Sequence, residues 1–418
     1  MSTESPLTKQ ETQTSIFAGH LGHLTPDQES TLEAFKELLG EKELYKSHSV
    51  TDDPDSKPTH DDGTLLRFLR ARKFEVQEAF QQFKDTEEWR KANQLDFLYD
   101  NIEINDYEET RRLYPQWTGR RDLRGIPVYV YEIKSLDSKR MAAYHKSASK
   151  TSTVKSDMKT QASAKLLRLF ALYENLTQFV TPLCTRLLDR PCPEVPITQT
   201  NNIVDISGVG LGQFWNLRSH MQDASTLATA HYPETLDRIF VSSNYSHQPL
   251  TLLLHQVLTI VITQIIGAPS FFPVVWGWIK KWFDPITTSK IFILSAHEVK
   301  PTLTKFIDLA NIPKKYGGEL EYEFGMMPVL DAAAQDSLTW STSGEANGDS
   351  GHKQKTFPIG PMRWVDQDIT EANGDGEKAG QQKDLIAMGS VQGKERRQKI
   401  ASQREPTAIL PGDPGVQS

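Results

Sequence analysis

The segment NNIVDISGVGL, residues 201–211, carries the most information about the architecture of this chain. Its β-branched and apolar run, followed by two closely spaced glycines, predicts a buried strand that ends in a glycine turn. The next segment, residues 214–232, predicts a helix, and RIFV (238–241) begins another strand. A strand, a helix and a further strand in this order favour an α/β domain with a largely parallel or mixed sheet.

Other segments extend this pattern in both directions. GIPVYVYEI (125–133) and SKIFILSA (289–296) predict strands, whereas residues 164–183 and 299–310 predict helices. Residues 136–163 are polar and rich in Ser, Thr and Lys, which predicts a long surface loop. The sequence therefore predicts an α/β domain over residues 99–330.

The two ends of the chain differ from this domain in composition. Residues 1–24 are polar and predict a disordered leader, and residues 331–418 have few large apolar side chains and predict a disordered tail. Between the leader and the α/β domain, residues 25–98 predict a small helical module. Its first helix begins where Thr25 can cap the helix and Pro26 can occupy the first helical position.

Composition excludes several classes of function. The net charge of −7 gives no general attraction to nucleic acid, and the 2 cysteines are weak evidence for a disulfide or a metal site. The first residues lack the layout of a signal peptide, so we expect a reducing, cytoplasmic location. A dinucleotide fingerprint fails because Gln213 stands where a glycine is required. No catalytic constellation, metal site or cofactor is expected, and the chain is predicted not to be an enzyme.

Seven segments in order resemble the CRAL-TRIO family, in particular its fungal-type phosphatidylinositol/phosphatidylcholine transfer branch. They are LLRFLRARKF (65–74), YPQ (114–116), GIPVYVYE (125–132), NIVDISGVG (202–210), AHYPETLDRIF (230–240), FDPITTSKIFIL (283–294) and IPKKYGGEL (312–320). The resemblance implies an α/β CRAL-TRIO lipid-binding fold, in which a mixed sheet floors an apolar cavity beneath a gate helix. A small helical N-terminal module precedes that domain.

The resemblance also implies residues for an inositol-phosphate headgroup, and their chemistry suits a phosphodiester because charge-assisted hydrogen bonds are strong. These residues are Arg70, Lys73, Glu234, Asp284, Thr287 and Lys290. A second set corresponds to the family's choline-headgroup positions, where an aromatic face attracts a quaternary ammonium. It comprises Tyr114, Tyr129, Thr200 and Asn202; Asn202 departs from the family by placing an amide where a hydroxyl is expected.

The segment APSFFPVVWGWIKKWF (268–283) corresponds to the gate helix. Aromatic side chains beside two lysines suit a helix that rests on a membrane surface. The residues predicted to contact the membrane are Phe271, Phe272, Val275, Trp276, Ile279, Trp282 and Phe283.

Residues 241–264 have no counterpart in the family, where the strand beginning at RIF continues directly into the glycine of GAPSFFP. We interpret them as an insert that divides a central strand, and as a retained in-frame intron, because Val codons start with GT and Thr-Gln can end in CAG. Within this segment begins an apolar run, residues 250–266, whose length lies at the lower limit for crossing a membrane.

The sequence thus predicts a phosphatidylinositol-binding protein that exchanges phospholipids between membranes without catalysis. Its expected partners are phosphatidylinositol, phosphatidylcholine as a second candidate, and a transient membrane surface; nucleic acid is not expected, and the chain is expected to be a monomer. The resemblance implies peripheral association with Golgi or endosomal membranes. Two alternatives stay open: a lipid sensor that presents phosphatidylinositol to a lipid kinase, and a membrane-anchored protein that spans the bilayer at 250–266.

Overall fold

The structure is a computed structural model, and it describes residues 17–47, 58–148, 162–243, 277, 291–341, 357–366 and 382–404. The helices are α1 Pro26–Glu41, α2 Asp62–Ala71, α3 Val76–Ala92, α4 Leu95–Asn101, α5 Ile104–Arg111, α6 Ser138–Ala148, α7 Ala164–Asn175, α8 Thr181–Arg186, α9 Leu211–His231, α10 Ala296–Leu303 and α11 Ala332–Asp336. A π-helical segment, Leu176–Val180, joins α7 to α8. The strands are β1 Gln116–Arg121, β2 Pro127–Glu132, β3 Thr200–Asp205, β4 Leu236–Ser243, β5 Ile291–Ser295, β6 Thr339–Trp340, β7 Met362–Asp366, β8 Gln382–Ala387, β9 Ser390–Val391, β10 Lys394–Glu395 and β11 Gln398–Arg404.

Helices α1 to α3 form the predicted helical module. Thr25 caps α1 in a capping box with Gln28, and Pro26 follows at the first helical position, as the sequence predicted. Leucine and phenylalanine side chains from the three helices pack into one buried cluster, which includes Phe35, Leu66 and Phe83. The module is therefore held together by its own core.

The central sheet has five strands in the order β1-β2-β3-β4-β5. β1 and β2 are antiparallel, whereas β2, β3, β4 and β5 run parallel to one another. The sheet is therefore mixed, as predicted. Gly208 has a φ of +71°, and Gly210 is the N-cap of α9, so the glycines after β3 form the expected turn from strand to helix.

The two faces of this sheet differ in how closely they are covered. On one face Val128, Val130, Ile203, Phe240 and Leu294 are buried in a core that also contains side chains from α10 and the chain after it. On the other face most apolar side chains of the same strands are half-buried, although Val241 is buried, and they pack against a core that includes residues of α7 and α9. The second face is therefore the better candidate for the floor of the cavity that the family resemblance implies.

Strand β4 corrects one detail of the predicted insert. Val241 and Ser242 pair with both β3 and β5, and Ser243 pairs with β5, so β4 continues without interruption to Ser243. In the family pattern, the residues just before GAPSFFP would complete this strand. Here the first three residues of the 241–264 segment complete it instead. The remainder of that segment lies outside the described residues.

Three further predictions are wrong for the residues that the structure describes. Residues 138–148 form helix α6 rather than a loop, because Met141, Tyr144 and Ala148 provide a buried face. Within the predicted disordered leader, Phe17 is buried against Cys192 and Val195. The predicted disordered tail contains α11 and strands β6 to β11.

The tail strands form a second, antiparallel sheet in the order β6-β11-β8-β7. Its apolar residues are few, but Met362, Leu385 and Ile400 lie on one buried side and share a core with Phe179 and Leu183. The Trp364 Nε1 atom donates a hydrogen bond of 3.1 Å to the carbonyl oxygen of Phe179. The sheet is thus ordered because the α7–α8 region supplies most of its apolar contacts.

Candidate lipid site

Two rows of cross-strand neighbours form the half-buried face of the central sheet. One row runs Tyr129, Asn202, Ile239, Ile291, and the next runs Tyr131, Val204, Val241, Ile293. Six of these side chains belong to or pack against the core beneath α7 and α9: Tyr131, Val204, Ile239, Val241, Ile291 and Ile293. The register therefore places a continuous apolar strip across four strands.

Three of the four residues predicted for a choline headgroup lie together. Tyr129 is the cross-strand partner of Asn202. The Asn202 Nδ2 atom donates a hydrogen bond of 2.9 Å to Thr200 Oγ1, which itself donates to the carbonyl oxygen of Thr235 at 3.2 Å. The amide of Asn202 is therefore engaged with the neighbouring hydroxyl.

Tyr114, the fourth of these residues, is deeply buried just before β1. Its ring lies 6.2 Å from the ring of Tyr144, and burial raises its pKa well above the usual range for tyrosine. The phenol is therefore neutral at physiological pH, and its environment is that of a core residue.

Of the residues predicted for the phosphatidylinositol headgroup, the structure describes Arg70, Lys73 and Glu234. Arg70 lies in the last turn of α2, and its Nη1 atom donates a hydrogen bond of 3.4 Å to the carbonyl oxygen of Gly19. Burial lowers the pKa of Arg70 to about 10, and the nearby carboxylate of Glu234 opposes that shift. Arg70 therefore remains a cation, and the structure brings it near Glu234.

Lys73 and Glu234 both have left-handed backbone conformations, with φ of +53° and +54°. Lys73 follows α2 and is exposed, whereas Glu234 is half-buried in the turn between α9 and β4. Asp284, Thr287 and Lys290 lie outside the described residues, as do the gate residues Phe271, Phe272, Val275, Trp276, Ile279, Trp282 and Phe283. Their assigned roles stay predictions.

Arg67 is a candidate that the sequence reasoning missed. It lies on α2 three residues before Arg70 and is only 7% exposed. Its buried Nη1 atom has no hydrogen-bond partner among the described residues. Three other buried atoms also have none there: Nε and Nη2 of Arg70 and Oγ1 of Thr198. A repeat of arginines at helical spacing between leucines was the available signal, but such arginines usually face solvent.

These unpaired donors lie at the junction of α2 with the segments that lead into β3 and β4. A Cβ added to Gly63 would lie 3.3 Å from Cγ2 of Thr198, so the start of α2 packs directly on the chain before β3. Burial lowers the pKa of Arg67, while the carboxylates of Asp61 and Glu174 and the phenol of Tyr232 oppose that shift. Two buried guanidinium groups and a hydroxyl are thus available to an anion.

A buried ion-pair network fixes the neighbouring segment. Glu174 on α7 accepts hydrogen bonds of 2.6 Å from both Arg90 Nη1 and Tyr232 Oη. Despite its burial, the cation of Arg90 lowers the pKa of Glu174. Because Tyr232 lies two residues before Glu234, this network sets the position of the turn that carries Glu234.

A separate groove of about 510 Å³ lies beside α5 and α6. It is lined by residues that include Glu108, Glu109, Arg112 and Arg140. Its charges are mixed, and none of the predicted headgroup residues that the structure describes lines it, so it is not assigned to the predicted lipid site.

Comparison with known proteins identifies two domains. Residues 31–85 match the CRAL/TRIO N-terminal domain, and residues 255–318 match the CRAL/TRIO domain. The first match covers most of the helical module. The second ends after β5 and includes the gate segment and the TTSKI motif.

Curated relatives match over most of the chain. The SEC14 cytosolic factor of Kluyveromyces lactis is 28% identical over 308 residues, which are 73% of this chain and 82% of the relative. The Sec14 cytosolic factor of Schizosaccharomyces pombe is 28% identical over 329 residues, covering 77% of this chain and 92% of the relative. A phosphatidylinositol/phosphatidylcholine transfer protein of Arabidopsis thaliana, SFH7, is 27% identical over 74% of this chain and 47% of its own length.

The match to the solved structure of Sfh5 covers 71% of this chain and 87% of that one, with a TM-score of 0.45 and 14% identity. The two domain matches and the relatives agree with the resemblance noted in the sequence. Residues 31–85 and 255–318 are thus similar to the two CRAL/TRIO domains, and the relatives that match over most of the chain include Sec14 cytosolic factors.

Proposed function

We propose that this protein binds phosphatidylinositol and exchanges phospholipids between membranes without catalysis. The observation that carries the proposal is that Arg67 Nη1 and Arg70 Nε and Nη2 are buried atoms with no hydrogen-bond partner among the described residues. A buried cation without a partner is costly, and a lipid phosphate would supply the missing acceptor. The names of the relatives above are consistent with this assignment.

The half-buried apolar strip on the central sheet supports the proposal that the protein carries and exchanges phospholipids. An acyl chain laid over Tyr131, Val204, Ile239 and Ile293 would remove apolar surface from water, at about 25 cal/mol for each Å² covered. The headgroup would then lie at the end of the sheet where β3 and β4 begin. Lipid exchange of this kind needs no reacting group and no cofactor.

Phosphatidylcholine is the weaker of the two ligands in this proposal. Position 202 carries an amide instead of the expected hydroxyl. This amide already donates a hydrogen bond to Thr200 Oγ1 instead of to a ligand. Tyr129 remains beside this pair as an aromatic surface. We propose further that the protein acts as a monomer that touches Golgi or endosomal membranes transiently.

The membrane-anchored alternative places its span at 250–266, outside the described residues. Among the residues that the structure describes, no helix is long and apolar enough to cross a membrane. Carbonate extraction of membranes distinguishes the two: a peripheral protein is released, whereas a spanning protein is retained.

The function is tested by lipid transfer between vesicles, using the full chain and the variants Glu234→Ala and Lys290→Ala. We expect both variants to lose most phosphatidylinositol transfer while their stability changes by no more than about 1 kcal/mol. Lys139→Ala, at an exposed position on α6, is the control and should transfer normally. Normal phosphatidylinositol transfer by folded Lys290→Ala protein would rule out the assigned site.

A further inference from the structure

Two segments far apart in sequence meet beside the helical module. The first, residues 17–24, makes two successive turns, in which His20 N donates to Phe17 O and His23 N donates to His20 O, each at 2.9 Å. Gly19 and Gly22 have φ of +76° and +83°, which other residues adopt only with strain. These turns direct the chain back so that His23 reaches Glu194.

The second segment, the loop between α8 and β3, is fixed around the guanidinium group of Arg190. Arg190 donates hydrogen bonds to the carbonyl oxygens of Thr185, Leu187, Cys192 and Pro193, at distances between 2.5 and 3.1 Å. The Val195 amide also donates to the Cys192 carbonyl oxygen at 3.2 Å. The backbone that presents Cys192 and Glu194 is therefore held in one conformation before any ligand binds.

Three metal-binding groups converge where the segments meet. His23 Nε2 lies 3.4 Å from Glu194 Oε1, and one donor atom each from His23, Cys192 and Glu194 lies within 4.8 Å of the other two. In a tetrahedral site with metal–ligand distances of about 2.0 to 2.3 Å, neighbouring donors lie roughly 3.3 to 3.8 Å apart. Shifts of about 1 Å or less would therefore complete the geometry.

The chemistry of the three groups selects the class of metal. A thiolate favours a borderline-soft cation, and imidazole and carboxylate are both ligands of zinc. A thiolate and a carboxylate together neutralise a divalent cation, and the positive charge of Arg190 is already directed at backbone carbonyls. Glu194 is the most exposed of the three, with 55% of its side chain accessible, so a fourth position can be filled by water.

We propose that His23, Cys192 and Glu194 form a binding site for Zn²⁺ or a similar divalent cation. The ion fastens residues 17–24 to the loop between α8 and β3. Because the carbonyl oxygen of Gly19 accepts a hydrogen bond from Arg70, the same segment also contacts α2. Sequence reasoning treated the 2 cysteines as weak evidence for a metal site and did not connect Cys192 with His23 and Glu194.

The test uses Co²⁺, whose thiolate complexes absorb in the near ultraviolet. The full chain is treated with a chelator, dialysed and titrated with CoCl₂. We expect a sulfur-to-cobalt band that saturates at one equivalent and disappears when Zn²⁺ is added. Cys192→Ser should abolish the band, and His23→Ala should weaken Co²⁺ binding by at least about tenfold.

Cys184→Ser is the matched control, because Cys184 is the other cysteine of the chain and is fully buried in the core shared with the second sheet, outside the group of three ligands. It should keep the band unchanged. If folded wild-type protein gives no band, or if the band persists in Cys192→Ser, the proposal is wrong. Should Cys192→Ser fail to fold, Glu194→Gln replaces it, since that side chain is exposed, and unchanged Co²⁺ affinity in Glu194→Gln would likewise overturn the site.

Discussion

Arg67 is a buried cation whose Nη1 atom has no hydrogen-bond partner in the described part of the chain. Arg168, by comparison, is 1% exposed and forms ion pairs of 2.7 and 2.9 Å with Asp106 and Glu109. Removing a charge from water costs several kcal/mol unless hydrogen bonds replace the lost hydration. The unpaired Nη1 of Arg67 therefore lowers the stability of the lipid-free protein in favour of the loaded one.

The variant Arg67→Met tests this directly. We expect the lipid-free variant to be more stable than wild type by about 1 to 3 kcal/mol, because a buried charge is replaced by an apolar side chain of similar length. It should also bind phosphatidylinositol vesicles more weakly. Urea unfolding of delipidated protein measures the first effect, with Arg140→Met, at an exposed arginine, as the control. A loss of stability in the lipid-free variant would contradict the prediction.

His231 makes stability depend on pH. Its ring stacks on Trp89 with ring centroids 4.0 Å apart, and burial lowers its pKa from 6.5 to about 4. Below pH 6.5 the unfolded chain therefore binds more protons than the folded one, so stability falls as the pH is lowered from 6.5 to 4.

We expect His231→Phe, which keeps the stack, to lose less melting temperature than wild type between pH 6.5 and 4. Burial also lowers the pKa of His20 to about 4, so part of the slope will remain. The exposed His297→Phe should retain the wild-type slope in thermal unfolding. Equal slopes for His231→Phe and wild type would show that His231 is not the group responsible.

At the scale of elements, the parts of the fold with strong periodicity were predictable. The capping box at Thr25, the alternation in GIPVYVYEI and the glycine turn after β3 all depend on residues close together in sequence. The second sheet was not predictable in this way. Its strands are short, and their apolar side chains become buried only against α7, α8 and the π-helical segment, which lie about two hundred residues earlier in the chain.

Some residues of the candidate site were likewise predictable from the sequence, and others were not. Tyr129, Thr200 and Asn202 were grouped through the family resemblance, and the pairing of β2 with β3 brings them together in the structure. Arg67 and Thr198 were missed because they are notable only for buried atoms that lack hydrogen-bond partners. That property depends on the folded structure and cannot be read from the sequence pattern. The site formed by His23, Cys192 and Glu194 was missed because its two segments are 171 residues apart.

The second sheet should be essential to folding. A chain ending at Asp336 would expose Trp117, Phe179 and Leu183, which share a core with the strands that are removed. We expect it to bind a hydrophobic dye and to aggregate in size-exclusion chromatography. A chain ending at Arg404 is the control and should behave as the full protein. A monomeric Asp336-terminated protein with an unchanged melting temperature would contradict this role.

At the scale of the whole molecule, β4 is an interior strand of the central sheet, because it pairs on both sides with parallel strands. Ser242 on this strand is 1% exposed, and its Oγ atom is buried with no hydrogen-bond partner in the described part of the chain. An unsatisfied buried hydroxyl costs about 1 to 3 kcal/mol. Deleting residues 241–264 would place Ile265, Ile266 and Gly267 in the last three positions of β4, with Ile266 replacing Ser242.

That deletion should therefore raise the free energy of unfolding by at least about 1 kcal/mol and increase soluble yield. Deletion of 244–264 is the matched control, since it removes the same apolar segment but keeps Ser242 in the strand. The difference between the two shortened proteins measures the strand substitution alone. If the 241–264 deletion is the less stable of the two, β4 requires its own residues, and the insert interpretation fails.

The unequal packing of the two faces of the central sheet has a volumetric consequence. Hydrostatic pressure favours unfolding in proportion to the internal void that unfolding removes. The face that carries Tyr131, Val204, Ile239 and Ile293 is loosely covered, whereas the opposite face is closely packed. A bound acyl chain would fill the loose side, so delipidated protein should unfold at a lower pressure than loaded protein, even under conditions where both melt at similar temperatures.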